Sequence, residues 1–112
     1  MSEAEKRILI VDDEVEHLES LRRIFEREKY QVDTAVKGKE ALEKLRQKSY
    51  LVMLTDLIMP GGVDGMDLLK AVKALGINTE IVLMTAYGTV ETAVQAMKVE
   101  AYDFITKPID LE

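Results

Sequence analysis

The chain has 112 residues, 47% of them hydrophobic and 32% charged, a balance that suits one globular domain with a real core and leaves no room for a second. With no cysteine, disulfide scaffolds, zinc ribbons, iron–sulfur sites and thiol nucleophiles are excluded, and a single histidine, His17, argues against a histidine-based metal site or triad. Fifteen basic against twenty-one acidic residues give −6, which repels nucleic acid and anionic lipid; no apolar run is long enough to span a bilayer, and the acidic start lacks a signal-type apolar region, so a cytoplasmic protein is expected.

Ile8 to Val11 is a wholly apolar run ending at Asp12-Asp13, the pattern of a strand buried on both faces. Leu18, Leu21, Ile24 and Phe25 recur at helical spacing among charges and predict an amphipathic helix over roughly Glu16 to Glu28, in which His17 is read as a solvated helix residue. Tyr30 to Ala35 reads as a strand with polar Gln31 and Asp33, and Gly38 to Lys48 as a helix with Ala41, Leu42 and Leu45 on one face. Leu51 to Leu54 is an apolar strand stopping at Thr55-Asp56, followed by a helix marked by Met66, Leu69, Val72 and Lys73 that ends near Gly76. Ile81 to Met84 is a strand ending at Thr85; Thr89 to Val99 reads as a helix whose Val90, Val94 and Met97 face the sheet; Tyr102 to Ile105 is a last strand leading to Thr106-Lys107-Pro108. The methionines in or beside these apolar segments are read as core filling.

Apolar strands alternating with helices imply parallel strands joined by right-handed crossovers, an α/β doubly wound sheet. Such sheets bind ligands beyond the carboxyl ends of their strands, which singles out Asp12, Asp13, Asp56, Thr85 and Lys107. Three carboxylates converging on one edge repel one another unless a cation neutralises them, and a hard divalent ion such as Mg²⁺ takes oxygen ligands of this kind. Lys107 adds an ammonium and Thr85 a hydroxyl, so the set can compensate the charge of a phosphoryl group passing to a carboxylate, with Asp56 as acceptor. Each signal alone also has a plainer reading: Asp13 as a helix cap with Glu16 as its capping-box partner, Asp56 as a turn residue, Thr85 as a cap, Lys107 as a surface lysine. All five falling after successive apolar strands makes those readings a string of coincidences.

Ile8-Leu9-Ile10-Val11-Asp12-Asp13-Glu14, Asp56 with Met59-Pro60 and Asp64-Gly65, Met84-Thr85-Ala86-Tyr87, and Ala101-Tyr102-Asp103-Phe104-Ile105-Thr106-Lys107-Pro108 together resemble the receiver domains of bacterial two-component response regulators. The resemblance implies a flavodoxin-like five-stranded sheet of order 2-1-3-4-5, and transfer of a phosphoryl group from a phosphohistidine of a sensor histidine kinase to Asp56. It further implies Mg²⁺ held by Asp12, Asp13, Asp56 and the backbone carbonyl of Ile58, with Thr85 and Lys107 on the phosphoryl oxygens. Thr85 and Phe104 would act as the switch that remodels the face of the fourth helix and fifth strand toward an output domain or effector protein. A homodimer is compatible with this reading. The wording from Thr85 to Ala93 and from Lys107 to Asp110 is most similar to receivers of sigma-54-dependent activators, and the Lys107–Pro108 bond is expected to be cis.

The sequence departs from the family pattern in three places. The loop between Pro60 and Asp64 carries one extra residue, Glu100 stands where glycine is common, and the chain ends at Glu112 where a fifth helix should begin, so residues 1–112 are expected to be one receiver domain, the N-terminal part of a longer regulator. Such a module catalyses its own phosphorylation and dephosphorylation and turns over no outside substrate. The alternatives are a small Mg²⁺-dependent phosphohydrolase with an aspartyl-phosphate intermediate, which usually needs a second acid where Ile58 stands, and a binding-only domain, which a missing acid or lysine would favour.

Overall fold

The computed structural model describes residues 6–59, 62–85, 90–99 and 101–106. The expectations placed on Glu100, Lys107, the Lys107–Pro108 bond and the start of a fifth helix lie outside these residues. Five strands and four helices alternate: β1 (Arg7–Val11), α1 (Val15–Arg27), β2 (Gln31–Ala35), α2 (Gly38–Gln47), β3 (Val52–Asp56), α3 (Gly65–Ala74), β4 (Glu80–Thr85), α4 (Val90–Lys98) and β5 (Asp103–Thr106). All neighbouring strands are parallel, in the order β2-β1-β3-β4-β5. The chain reverses its direction of travel across the sheet between β1 and β3, the switch point at which doubly wound sheets open a crevice.

Period-two side-chain direction divides the core into two layers. Leu9, Val11, Met53, Ile81 and Leu83 point to the side covered by α2 and α3, where Ala41, Leu45, Leu68, Leu69 and Val72 are buried against them. Ile8, Ile10, Leu54 and Met84 point to the other side and meet Leu18 and Leu21 of α1, with Phe25 and Tyr30 packed edge to face at 6.2 Å. Among the described residues, that second layer is thinner. A groove of about 240 Å³ runs beside α1, walled by Ile8, Phe25, Val52, Leu54, Val82 and Ile105 among others.

Two local readings of the sequence change here. α1 begins one residue earlier than expected, with Glu14 at its N-cap making no side-chain cap bond, so neither Asp13 nor Glu16 caps it. The first turn is tied instead by Asp12, whose Oδ1 accepts the Glu14 N–H at 2.9 Å. Val94 and Met97, expected to face the sheet, are half exposed, at 46% and 51%, while Val99, just past α4, packs against the core; the same expectation for Val90 lies outside the described side chains. No helix among the described residues is long and apolar enough to cross a membrane.

At the opposite end from the acidic edge, buried Tyr50 donates its hydroxyl to Asp33 Oδ2 at 2.6 Å, with Lys48 3.4 Å from the same oxygen. Burial and this hydrogen bond push the Tyr50 hydroxyl well above the usual tyrosine range. Burial works the other way on Asp33, but the Tyr50 hydrogen bond and the Lys48 charge outweigh it and hold the carboxyl below its ordinary range. A carboxyl that ionises more readily folded than unfolded adds stability above its unfolded value and loses it as the pH falls through the folded one. Tyr50→Phe is therefore expected to lower the unfolding free energy by about 1–2 kcal/mol at neutral pH, with the gap to the native protein closing below about pH 4 in chemical denaturation. A gap that stays constant into strong acid would exclude this pairing as its source.

Candidate functional site

β1 and β3 lie side by side at the centre of the sheet, with Val11 opposite Thr55, so both strands deliver their terminal acids to one place. Asp12 follows β1 directly, its N–H bound to Ala35 O of β2 at 3.1 Å, and is fully buried. Asp56, the last residue of β3, is 8% exposed, and Asp13 is open to solvent. One carboxylate oxygen from each of Asp12, Asp13 and Asp56 can be chosen so that all lie within 4.8 Å of one another. At an effective dielectric constant of about 20, each pair of such charges repels by about 3 kcal/mol, a cost that positive charge at this edge would offset. The donors are all carboxylate oxygens, the set that suits a hard divalent ion.

The neighbouring strand supplies a hydroxyl. Thr85 ends β4 with 1% exposure, one residue beyond Met84, the register partner of Asp56, and Leu57 N–H donates to Met84 O at 2.7 Å. β5 reaches Thr106 opposite Thr85, and Lys107 follows outside the described residues. Phe104, opposite Leu83, is half-buried against the α2/α3-side core. Ile58 is 59% exposed two positions past Asp56.

The chain leaving Asp56 is held by a backbone hydrogen bond and by a close approach that only glycine permits. Gly65 N–H donates to Leu57 O at 2.9 Å, and a Cβ on Gly65 would sit 2.4 Å from Asp56 O. Asp64 caps α3 in a reciprocal box, its Oδ1 accepting the Asp67 N–H at 2.9 Å while Asp67 Oδ2 accepts the Asp64 N–H at 3.1 Å. Val63, in the loop with the extra residue, lies on the start of α2, where a Cβ on Gly38 would come within 2.4 Å of Val63 O and 2.6 Å of its Cγ1.

His17 corrects the reading of a solvated helix histidine. It is on the first turn of α1 with only 22% of its side chain exposed, and its Nδ1 hydrogen-bonds Oδ2 of Asp12. The signal available in the sequence was its five-residue offset from Asp12, which matters only once the turn at Asp13-Glu14 folds the helix back onto the strand end.

The sequence profile of the response regulator receiver domain matches residues 8–112. The chain belongs to this family. Among relatives, this receiver domain is 38% identical over 112 residues to the transcriptional regulatory protein ZraR of Klebsiella oxytoca, covering 100% of this chain and 25% of ZraR. It spans about a quarter of the length of these curated relatives. Among solved structures, it is similar to the receiver domain of NtrC4, determined in solution as a beryllofluoride-activated dimer, with a TM-score of 0.87 and 38% identity over 95% of this chain and 87% of that one. A response regulator from Burkholderia pseudomallei with a phosphorylated aspartic acid, a calcium ion and citrate matches with a TM-score of 0.86 and 30% identity, covering 95% of this chain and 62% of that one.

The tight approach at residue 65 makes the loop after Asp56 sensitive to one methyl group. Gly65→Ala is expected to lower the unfolding free energy by about 1–3 kcal/mol and to shift the backbone amide NMR signals of Asp56 and Leu57. Wild-type stability together with unmoved signals would show that the contact relaxes freely.

Proposed function

We propose that this receiver domain takes a phosphoryl group from a phosphohistidine of a sensor histidine kinase onto Asp56, in a reaction that requires Mg²⁺. The observation that carries the reading is the convergence of Asp12, Asp13 and Asp56 within 4.8 Å at the switch point of a receiver sheet. In the transfer, a carboxylate oxygen of Asp56 bonds to phosphorus as the bond from phosphorus to the donor imidazole nitrogen breaks. Asp12, Asp13 and the carbonyl of Ile58 would hold the metal with Asp56. The metal, when bound, supplies positive charge that offsets the three carboxylates and the transferring phosphoryl oxygens. Thr85 and Lys107 take the remaining equatorial oxygens by hydrogen bond and ion pair.

Phosphorylation then acts as a local charge event on a two-state element. Drawing the Thr85 hydroxyl toward the new oxygens leaves space beside the end of β4, which Phe104 on the adjacent strand fills. The face of α4 and β5, with exposed Val94, Met97 and Tyr102, changes as a result and signals to an output domain or effector. The likeness to ZraR and the NtrC4 receiver supports an output of the sigma-54-dependent activator kind, a dimer of receivers among its states, and a longer parent protein of which residues 1–112 are the N-terminal domain. The likeness to the Burkholderia regulator supports an aspartate as the acceptor. The chemistry is confined to the protein's own side chain, and DNA binding belongs to another part of the parent.

The deciding experiment is incubation of native and Asp56→Asn protein with acetyl phosphate or beryllofluoride, with and without Mg²⁺. A phosphoryl adduct by intact mass, or a beryllofluoride-induced spectral change, is expected only in native protein with Mg²⁺; the same response in Asp56→Asn protein, or none in either, overturns the assignment. A second prediction concerns lifetime. Ile58 offers no polar group to orient an attacking water, so the phosphorylated form is expected to decay over minutes or longer in Mg²⁺; loss within seconds would exclude that role for Ile58.

A further inference from the structure

Both oxygens of Asp12 are held, but by donors of different kinds. Oδ1 accepts from the Glu14 backbone N–H, a bond any residue at position 14 other than proline could make. Oδ2 meets Nδ1 of His17, which belongs to this sequence and arrives from the first turn of α1. An ionised carboxylate only accepts, so the contact forms with the proton on Nδ1 when Asp12 is ionised. Asp12 is fully buried and His17 largely so, which shields the bond from competing water.

We propose that His17 is a positioning residue for the divalent metal, one that fixes the Asp12 carboxylate and thereby strengthens cation uptake by the Asp12, Asp13 and Asp56 cluster. The inference rests on the metal site proposed above and adds a residue to it. A carboxylate clamped at both oxygens has no torsional freedom left to lose when the metal arrives, and hydrogen-bond partners of this outer kind are worth roughly 10- to 100-fold in metal affinity. The opposing effect is electrostatic, since a protonated imidazolium beside Asp12 would compete with the incoming cation. Orientation and competition are opposite in sign, so one titration separates them.

The test is the Mg²⁺ affinity of the 112-residue chain, measured calorimetrically at about pH 8.5. His17→Leu keeps side-chain bulk and helix propensity but has no donor. His17→Asn places an amide N–H at the position of Nδ1, the same number of bonds from the backbone. The expected result is affinity weakened at least about tenfold by His17→Leu and largely recovered by His17→Asn. Because the chain has one histidine, its ring ¹⁵N signals need no assignment, and they are expected to report a protonated Nδ1 and a bare Nε2 in the Mg²⁺-loaded protein. Unchanged or tighter binding in His17→Leu, equal losses in both variants, or a ring protonated at Nε2 alone overturns the proposal. Asp13→Asn is the control: if native protein and Asp13→Asn both fail to take up Mg²⁺, the metal site itself is wrong and the role of His17 falls with it. Uptake lost in Asp13→Asn but untouched in His17→Leu refutes only the latter.

Discussion

Repulsion among three carboxylates is the interaction around which this sheet is built. Asp12, Asp13 and Asp56 bring oxygens within 4.8 Å of one another, with Asp12 fully buried, and only a stiff framework holds like charges in that arrangement. The framework is the parallel pairing of β1 with β3, whose register sets Val11 beside Thr55 and so fixes where the next residue of each strand emerges. A slip of one residue would turn Ile8 and Ile10 away from α1 and separate the acids in the same move. Core packing and site geometry thus share one determinant.

That determinant is reinforced unequally on the two faces. The α2/α3 side is deep, with Leu68, Leu69 and Val72 completely buried, and it anchors the loop after Asp56 through Gly65 and the Asp64–Asp67 box. The α1 side is thinner, and there the helix that covers the sheet also delivers His17 to Asp12. α1 therefore serves two purposes: its apolar stripe seals the layer while its first turn reaches the acidic edge. Displacement of α1 would be felt at the site before it was felt in the rest of the core.

The sequence displayed the strands plainly, because wholly apolar runs such as Ile8 to Val11 and Ile81 to Met84 are what two-sided burial requires, and each ends at a polar residue that the parallel topology carries to one edge. Asp12, Asp13 and Asp56 could be gathered on that ground alone. What sequence periodicity could not convey was direction around a turn. Asp13 kept a helix cap as its plainer alternative because a cap and a strand-end ligand occupy the same place in a linear pattern; the geometry at Glu14 separates them. His17 was hidden for the same reason, since its partner lies one turn back in space and not on its own helical face. Val94 and Met97 fit a helical stripe, yet both are half exposed, because helical spacing marks a shared face without saying which way that face turns.

The contact between Gly38 and Val63 constrains any redesign of this domain. The start of α2 and the loop that follows Asp56 are far apart in sequence, yet they meet so closely that no side-chain carbon fits at residue 38. The placement of Val63 and the residue at the head of α2 are therefore coupled. Any larger residue at the head of α2 would have to displace Val63, and with it the stretch that leads from the acceptor strand into α3.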